Sequence, residues 1–177
     1  MSKLQEAIVR AEQGDIGAMY DLVGYYSDPN VRDKGEFVKW MRVLAGKGDA
    51  LALFELGAIY CGYEEGQFWQ AFGGLSEYIN PKEGFVLVHK ALEVEERGND
   101  IQNLYSFYSD AVKINKMYTR DKGELAVKHG LNGMDLLNKR SELAIRAKEI
   151  LRQNRNSFPA GFADATIPFW EEVIKTI

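Results

Sequence analysis

The sequence predicts an all-α protein, an α/α superhelix of about four helix-turn-helix repeats closed by a C-terminal capping helix. Three observations carry that expectation. A 16-residue window recurs 34 positions later with six identities. The pentapeptide RDKGE occurs at Arg32–Glu36 and again 88 positions later at Arg120–Glu124. Apolar residues fall at helical spacing through most of the chain, with polar residues between them.

The repeated window gives the first two hairpins, at about 2–27 and 33–62. Its identities are Ala11 with Ala45, Gly14 with Gly48, Asp15 with Asp49, Ala18 with Ala52, Leu22 with Leu56 and Tyr26 with Tyr60. Each has a mechanical role. A glycine takes the left-handed conformation that ends a helix. The aspartate after it caps the next helix. Ala18, Leu22 and Tyr26 stand four apart and share a face, as do Ala52, Leu56 and Tyr60. The small alanine lets a neighbouring helix come close. The unit is therefore helix, Gly-Asp corner, helix.

RDKGE then reads as a helix start. Asp33 is the N-cap and Glu36 stands at the third helical position, the spacing of a capping box. Asp121 and Glu124 repeat it, and Asn80-Pro81-Lys82-Glu83 is a related opening with proline in the first turn. A third unit over 80–116 follows: helix 81–97 with Phe85, Val88 and Leu92 on one stripe, a Gly98-Asn99 corner, and helix 100–116 with Leu104, Phe107, Tyr108, Ala111 and Ile114. A fourth over 121–154 carries Leu125, Val127 and Gly130, then a long helix at 133–154 with Leu136, Leu137, Leu143, Ile150 and Leu151. Residues 157–177 read as a loop and a short helix opened by Pro168. Its Phe169, Trp170, Val173 and Ile174 cover the last hairpin's open face.

These residues resemble the Sel1-like repeat family, relatives of the tetratricopeptide repeats. The second unit carries Asp33, Trp40, Ala45, Gly48, Ala52, Leu56-Gly57 and Tyr60 of that pattern. The first carries Ala11, Gly14, Ala18, Leu22 and Tyr26. The match covers roughly residues 4–62; the third unit lacks the second-helix Ala and Leu-Gly, and the fourth keeps little beyond its acidic start. The 34-residue offset is also the tetratricopeptide period. The resemblance implies a superhelix that binds other proteins and has no chemistry of its own.

Composition narrows function. With 46% hydrophobic and 27% charged residues, the chain has the balance of a globular domain. A formal net charge of -4 argues against nucleic acid as the partner, since phosphate binding needs a basic surface. The opening residues MSKLQEAIVRAEQGD lack an apolar signal-peptide core, and no run of 18 apolar residues occurs, so no membrane association is expected and the cytoplasm is the expected compartment. No phosphate-binding loop, nucleophile elbow or metal-ligand spacing is found, so no enzyme activity, cofactor or metal is expected. His89 and His129 stand alone, and Cys61, in the run LALFELGAIYC, reads as a small buried hydrophobe. Segment 138–156 has a charge balance of +4, read as helix-dipole matching or as a face for an acidic partner.

The stretch from Gly62 to Ile79 departs from the repeat. It is about a dozen residues longer than the matching connection Ser27–Arg32 and holds five aromatics: Tyr63, Phe68, Trp69, Phe72 and Tyr78. Insertions in repeat proteins cluster on a binding face, and aromatics anchor interfaces. These five are therefore the candidate partner-binding residues, and packing on the second unit is the competing role. The expected function is an adaptor that binds a protein through its curved surface and the 62–80 insertion. A narrower form is a bacterial immunity protein or antitoxin that masks a toxin's active site. The alternatives are a helical enzyme with a carboxylate site and a scaffold that self-associates through the Phe169-Trp170 face.

Overall fold

The computed structural model describes residues 2–98, 101–118, 123–157 and 161–175. Ten α-helices and two short 3-10 turns make up their regular structure, with no strand among the described residues. The chain divides into two compact units, Met1–Val94 and Glu95–Ile177.

In the first unit, α1 (Lys3–Glu12) and α2 (Ile16–Ser27) form a hairpin, and α3 (Lys34–Gly46) and α4 (Ala50–Tyr60) form another. Both corners are built as the repeat suggests. Gly14 and Gly48 are left-handed, with φ of 98° and 83°. Asp15 accepts the Ala18 N–H at 3.0 Å, and Asp49 accepts the Ala52 N–H at 2.9 Å. Successive helices pack, α1 on α2, α2 on α3 and α3 on α4. The repeated stripe forms their core: Ala11, Ala18, Leu22, Tyr26, Ala45, Ala52, Leu56 and Tyr60 are all buried, as is Trp40. Tyr60 keeps its hydroxyl satisfied by accepting from the Arg42 side chain at 2.6 Å.

The first RDKGE is half a capping box. Asp33 accepts the Glu36 N–H at 3.0 Å. The Asp33 N–H, however, donates to the Tyr26 carbonyl at 3.1 Å. With that donor satisfied, Glu36 turns outward and pairs with Lys39 at 2.9 Å. The cap expected at Asp121, the Asn99 corner and the side chains of Glu124 and Leu125 lie outside what the structure describes.

Helix α6 (Pro81–Glu96) crosses α4 at unusually short range. A Cβ on Gly57 would lie 2.9 Å from the Val88 nitrogen and 3.0 Å from the Gly84 carbonyl oxygen. A Cβ on Gly84 would lie 2.7 Å from the Cys61 sulfur. Two glycines facing each other set this crossing, and it fixes both ends of the 62–79 stretch that joins the two helices.

In the second unit, α7 (Ile101–Met117) packs on α9 (Gly133–Gln153), and α9 on α10 (Phe162–Lys175). The apolar residues expected on α7 are buried, as are Leu136, Leu143 and Leu151 of α9. Asn132 caps α9 by accepting the Met134 N–H at 2.9 Å. The buried Asn115 amide donates to the Leu131 carbonyl at 2.6 Å, and ties α7 to the start of α9. Two expectations need correction. The described residues between α7 and α9 hold a six-residue α8 (Gly123–Lys128), in which Ala126 is buried and Val127, expected on the core stripe, is exposed. And Pro168 does not open the last helix, which begins six residues earlier. The stripe of Ala163, Ile167, Trp170 and Ile174 packs along α9, and its burial outweighs the one backbone hydrogen bond that proline removes.

Candidate functional site

The aromatic stretch after α4 folds onto the first unit. The chain leaves α4 through Cys61 and a left-handed Gly62, and the Tyr63 N–H donates to the Ala58 carbonyl at 3.0 Å. A short helix, α5 (Gln67–Phe72), follows and ends on a left-handed Gly73. Gly74 is also left-handed, and Ser76–Tyr78 form a 3-10 turn before α6. The Asn80 N–H then donates to the Tyr60 carbonyl at 2.8 Å, and closes the excursion on the helix it left.

Aromatic stacking holds α5. Phe68 and Phe72 stand four apart, so both point the same way. Each ring centroid lies 4.8 Å from that of Phe37 on α3. Phe37 itself is fully buried, and α5 also meets α2 and α4. Outside the aromatic core an ion pair between Lys34 and Glu77, at 3.2 Å, ties the 3-10 turn to the start of α3.

The five candidate residues therefore separate by burial. Tyr63 and Phe72 are buried, at 4% and 6% exposure, and Phe68 is half-buried against Phe37. Trp69 and Tyr78 are half-buried as well, and Ile79, next to Tyr78 in the chain, is 47% exposed. Sequence reasoning passed over Leu75, which is fully buried and anchors the stretch after the double glycine. The available signal was a lone leucine between Gly73-Gly74 and a polar turn.

The remaining candidates are more ordinary. Cys61 is fully buried in the α4–α6 crossing, and burial pushes its thiol up to about 12. His89 lies 3.6 Å from Glu93, one turn on. The ε-nitrogen of His129 is buried without a hydrogen-bond partner. Tyr20 donates to Asp49 at 2.6 Å, and burial raises its pKa, with Asp49 adding to the effect. Among the described residues no group of three or more His, Cys, Asp or Glu is placed to hold a metal ion. No helix among them is long and apolar enough to cross a membrane.

The basic run of α9 has acceptors inside its own unit. Lys139 lies 3.5 Å from Glu96, and Lys148 and Arg152 lie 3.2 and 2.7 Å from Glu171. Arg155 pairs with Asp164. Four of the six cations that produced the +4 balance thus face carboxylates that stand outside segment 138–156. Phe169, expected to cover the last hairpin, is 55% exposed, whereas Trp170 is buried.

Comparison with family models, curated proteins and solved structures finds no match for this chain.

Proposed function

We propose that this chain is a Sel1-like helical-repeat module, an α/α superhelix without chemistry of its own, that binds a protein partner through its curved surface and the 62–80 insertion. The reading rests on how the insertion is held. Tyr63, Phe72 and Leu75 are buried and fix its backbone to the first unit, while Trp69 and Tyr78 keep part of their surface exposed and Ile79 is 47% exposed. Aromatics on an anchored segment lose little freedom when a partner covers them, so more of their contact energy appears as affinity. The two Gly-Asp corners and the repeated buried stripe support the repeat reading.

The test separates anchoring from contact. The tagged wild-type chain captures a stoichiometric protein from its host's lysate, and the purified pair is measured by calorimetry. Trp69→Ala with Tyr78→Ala lowers affinity by about 2 kcal/mol, roughly 30-fold in Kd, with helix content retained. An unchanged Kd in that folded variant removes the insertion from the interface. Failure of the folded wild type to capture any protein removes the adaptor reading itself.

A further inference from the structure

Helix α9 starts on an Asn-Gly pair, Asn132-Gly133, and this dipeptide occurs nowhere else in the chain. In such a pair the asparagine side chain is open to attack by the next backbone nitrogen, because glycine has no side chain to shield it. The surroundings fix the pair. Gly133 is not needed for its backbone angle, which is not left-handed. It is needed for room, since a Cβ there would lie 2.5 Å from the Asn115 side-chain oxygen. Asn115 is held in turn: it is 6% exposed, and its amide donates to the Leu131 carbonyl at 2.6 Å. Leu131 itself is fully buried.

The fold keeps this pair unreactive. Asn132 is the N-cap of α9, and its side-chain oxygen accepts the Met134 N–H at 2.9 Å and the Asp135 N–H at 3.3 Å. Attack requires the Asn132 Cβ and the Gly133 nitrogen to eclipse about the Cα–C bond between them. That bond must turn well away from its present ψ of 121°. The rotation carries the side-chain oxygen off both amides. Cap and reactive conformation exclude each other, so reaction waits on local opening of the helix start.

We propose that Asn132 is a self-modification site, silent while α9 is capped and converted by spontaneous deamidation when the start of α9 opens. The Gly133 nitrogen gives its proton to solvent and bonds to the Asn132 Cγ. The Cγ–Nδ2 bond breaks, and the leaving nitrogen takes up a proton and departs as ammonia. Water then opens the succinimide. Opening at Cγ leaves aspartate, which caps a helix as well as asparagine does. Opening at the backbone carbonyl routes the main chain through Cγ, and this isoaspartate lengthens the backbone by one carbon at the capping position. The cap is then lost for good. The site lies within the second unit and is independent of the aromatic insertion.

The experiment is peptide mapping by mass spectrometry on the full-length chain aged at pH 8, native and in guanidinium chloride. It scores the exchange of amide for carboxyl at Asn132 and separates isoaspartate from aspartate by elution. Asn132 reacts at least ~10-fold faster in the unfolded chain than in the native one. A folded Asn115→Ala chain ages roughly 5-fold faster than wild type, the effect of one lost hydrogen bond. The refolded isoaspartate form melts below the fresh chain, whereas Asn132→Asp melts with it. Equal rates in native and unfolded chains overturn the proposal, and so does an isoaspartate form as stable as the fresh chain. Should Asn115→Ala not fold, denaturant below the unfolding transition takes its place. The reaction then accelerates in step with hydrogen exchange of the Met134 and Asp135 amides, and a rate that ignores that exchange overturns the gating.

Discussion

The glycine pair at the α4–α6 crossing allows one substitution to be tested with opposite signs. Alanine at Gly24, inside α2, meets nothing within 4 Å, so only the backbone responds. Removing glycine from a helix interior gains about 0.5–1 kcal/mol. Alanine at Gly57 gains the same propensity but drives its methyl into backbone: the Val88 nitrogen at 2.9 Å and the Gly84 carbonyl oxygen at 3.0 Å. Neither atom moves without moving α6. Overpacking of this kind costs about 1–3 kcal/mol, and here the upper half applies because the contacts are main-chain. The net effect at Gly57 is a loss of about 1–2 kcal/mol, which separates the two variants by roughly 2–3 kcal/mol. Urea unfolding followed by circular dichroism at 222 nm measures both, with the change in midpoint at constant slope giving the difference. If Gly57→Ala proves as stable as Gly24→Ala, the close crossing is absent and the fixed ends of the insertion go with it.

Three further outcomes follow from the same packing. Phe72→Ala strips an aromatic from the Phe37 cluster and costs about 3 kcal/mol, whereas Trp69→Ala costs about 1; thermal melts that rank them the other way contradict the assignment of anchor and surface. Cys61 reacts with a thiol reagent at pH 8 only as fast as the first unit opens, since its thiol is buried and pushed up to about 12; a fast native-state reaction argues against that burial. Tyr20, Tyr60 and Tyr108 are all raised above their ordinary value, first by burial. Their contribution to stability is complete below about pH 10, where unfolded tyrosine is still protonated, and is lost as pH rises toward the folded values. Tyr20→Phe therefore flattens the decline of stability above pH 10, and an unchanged alkaline slope counts against the burial of its hydroxyl beside Asp49.

The sequence by itself determined whatever closes within one turn of chain. Asp15, Asp33 and Asp49 announce helix starts because each cap spans three residues, and Gly14 and Gly48 announce helix ends because their neighbours alone demand positive φ. The stripes at 18, 22, 26 and 52, 56, 60 were legible for the same reason: residues four apart share a face wherever the helix is put. What only the tertiary structure decided depends on partners remote in sequence. The insertion shows five aromatics, but only Phe37, some thirty residues earlier, makes Phe68 and Phe72 its anchors, while Trp69 and Tyr78 are half-buried without that contact. Pro168 reads as a helix start, and only the buried cluster that α10 shares with α9 offers enough apolar surface to carry a helix through it. The +4 run on α9 looks like an open basic face until Glu96, Asp164 and Glu171 are brought against it. Local hydrogen bonds are written in spacing, but burial and charge neutralisation belong to surfaces that exist only once distant helices have met.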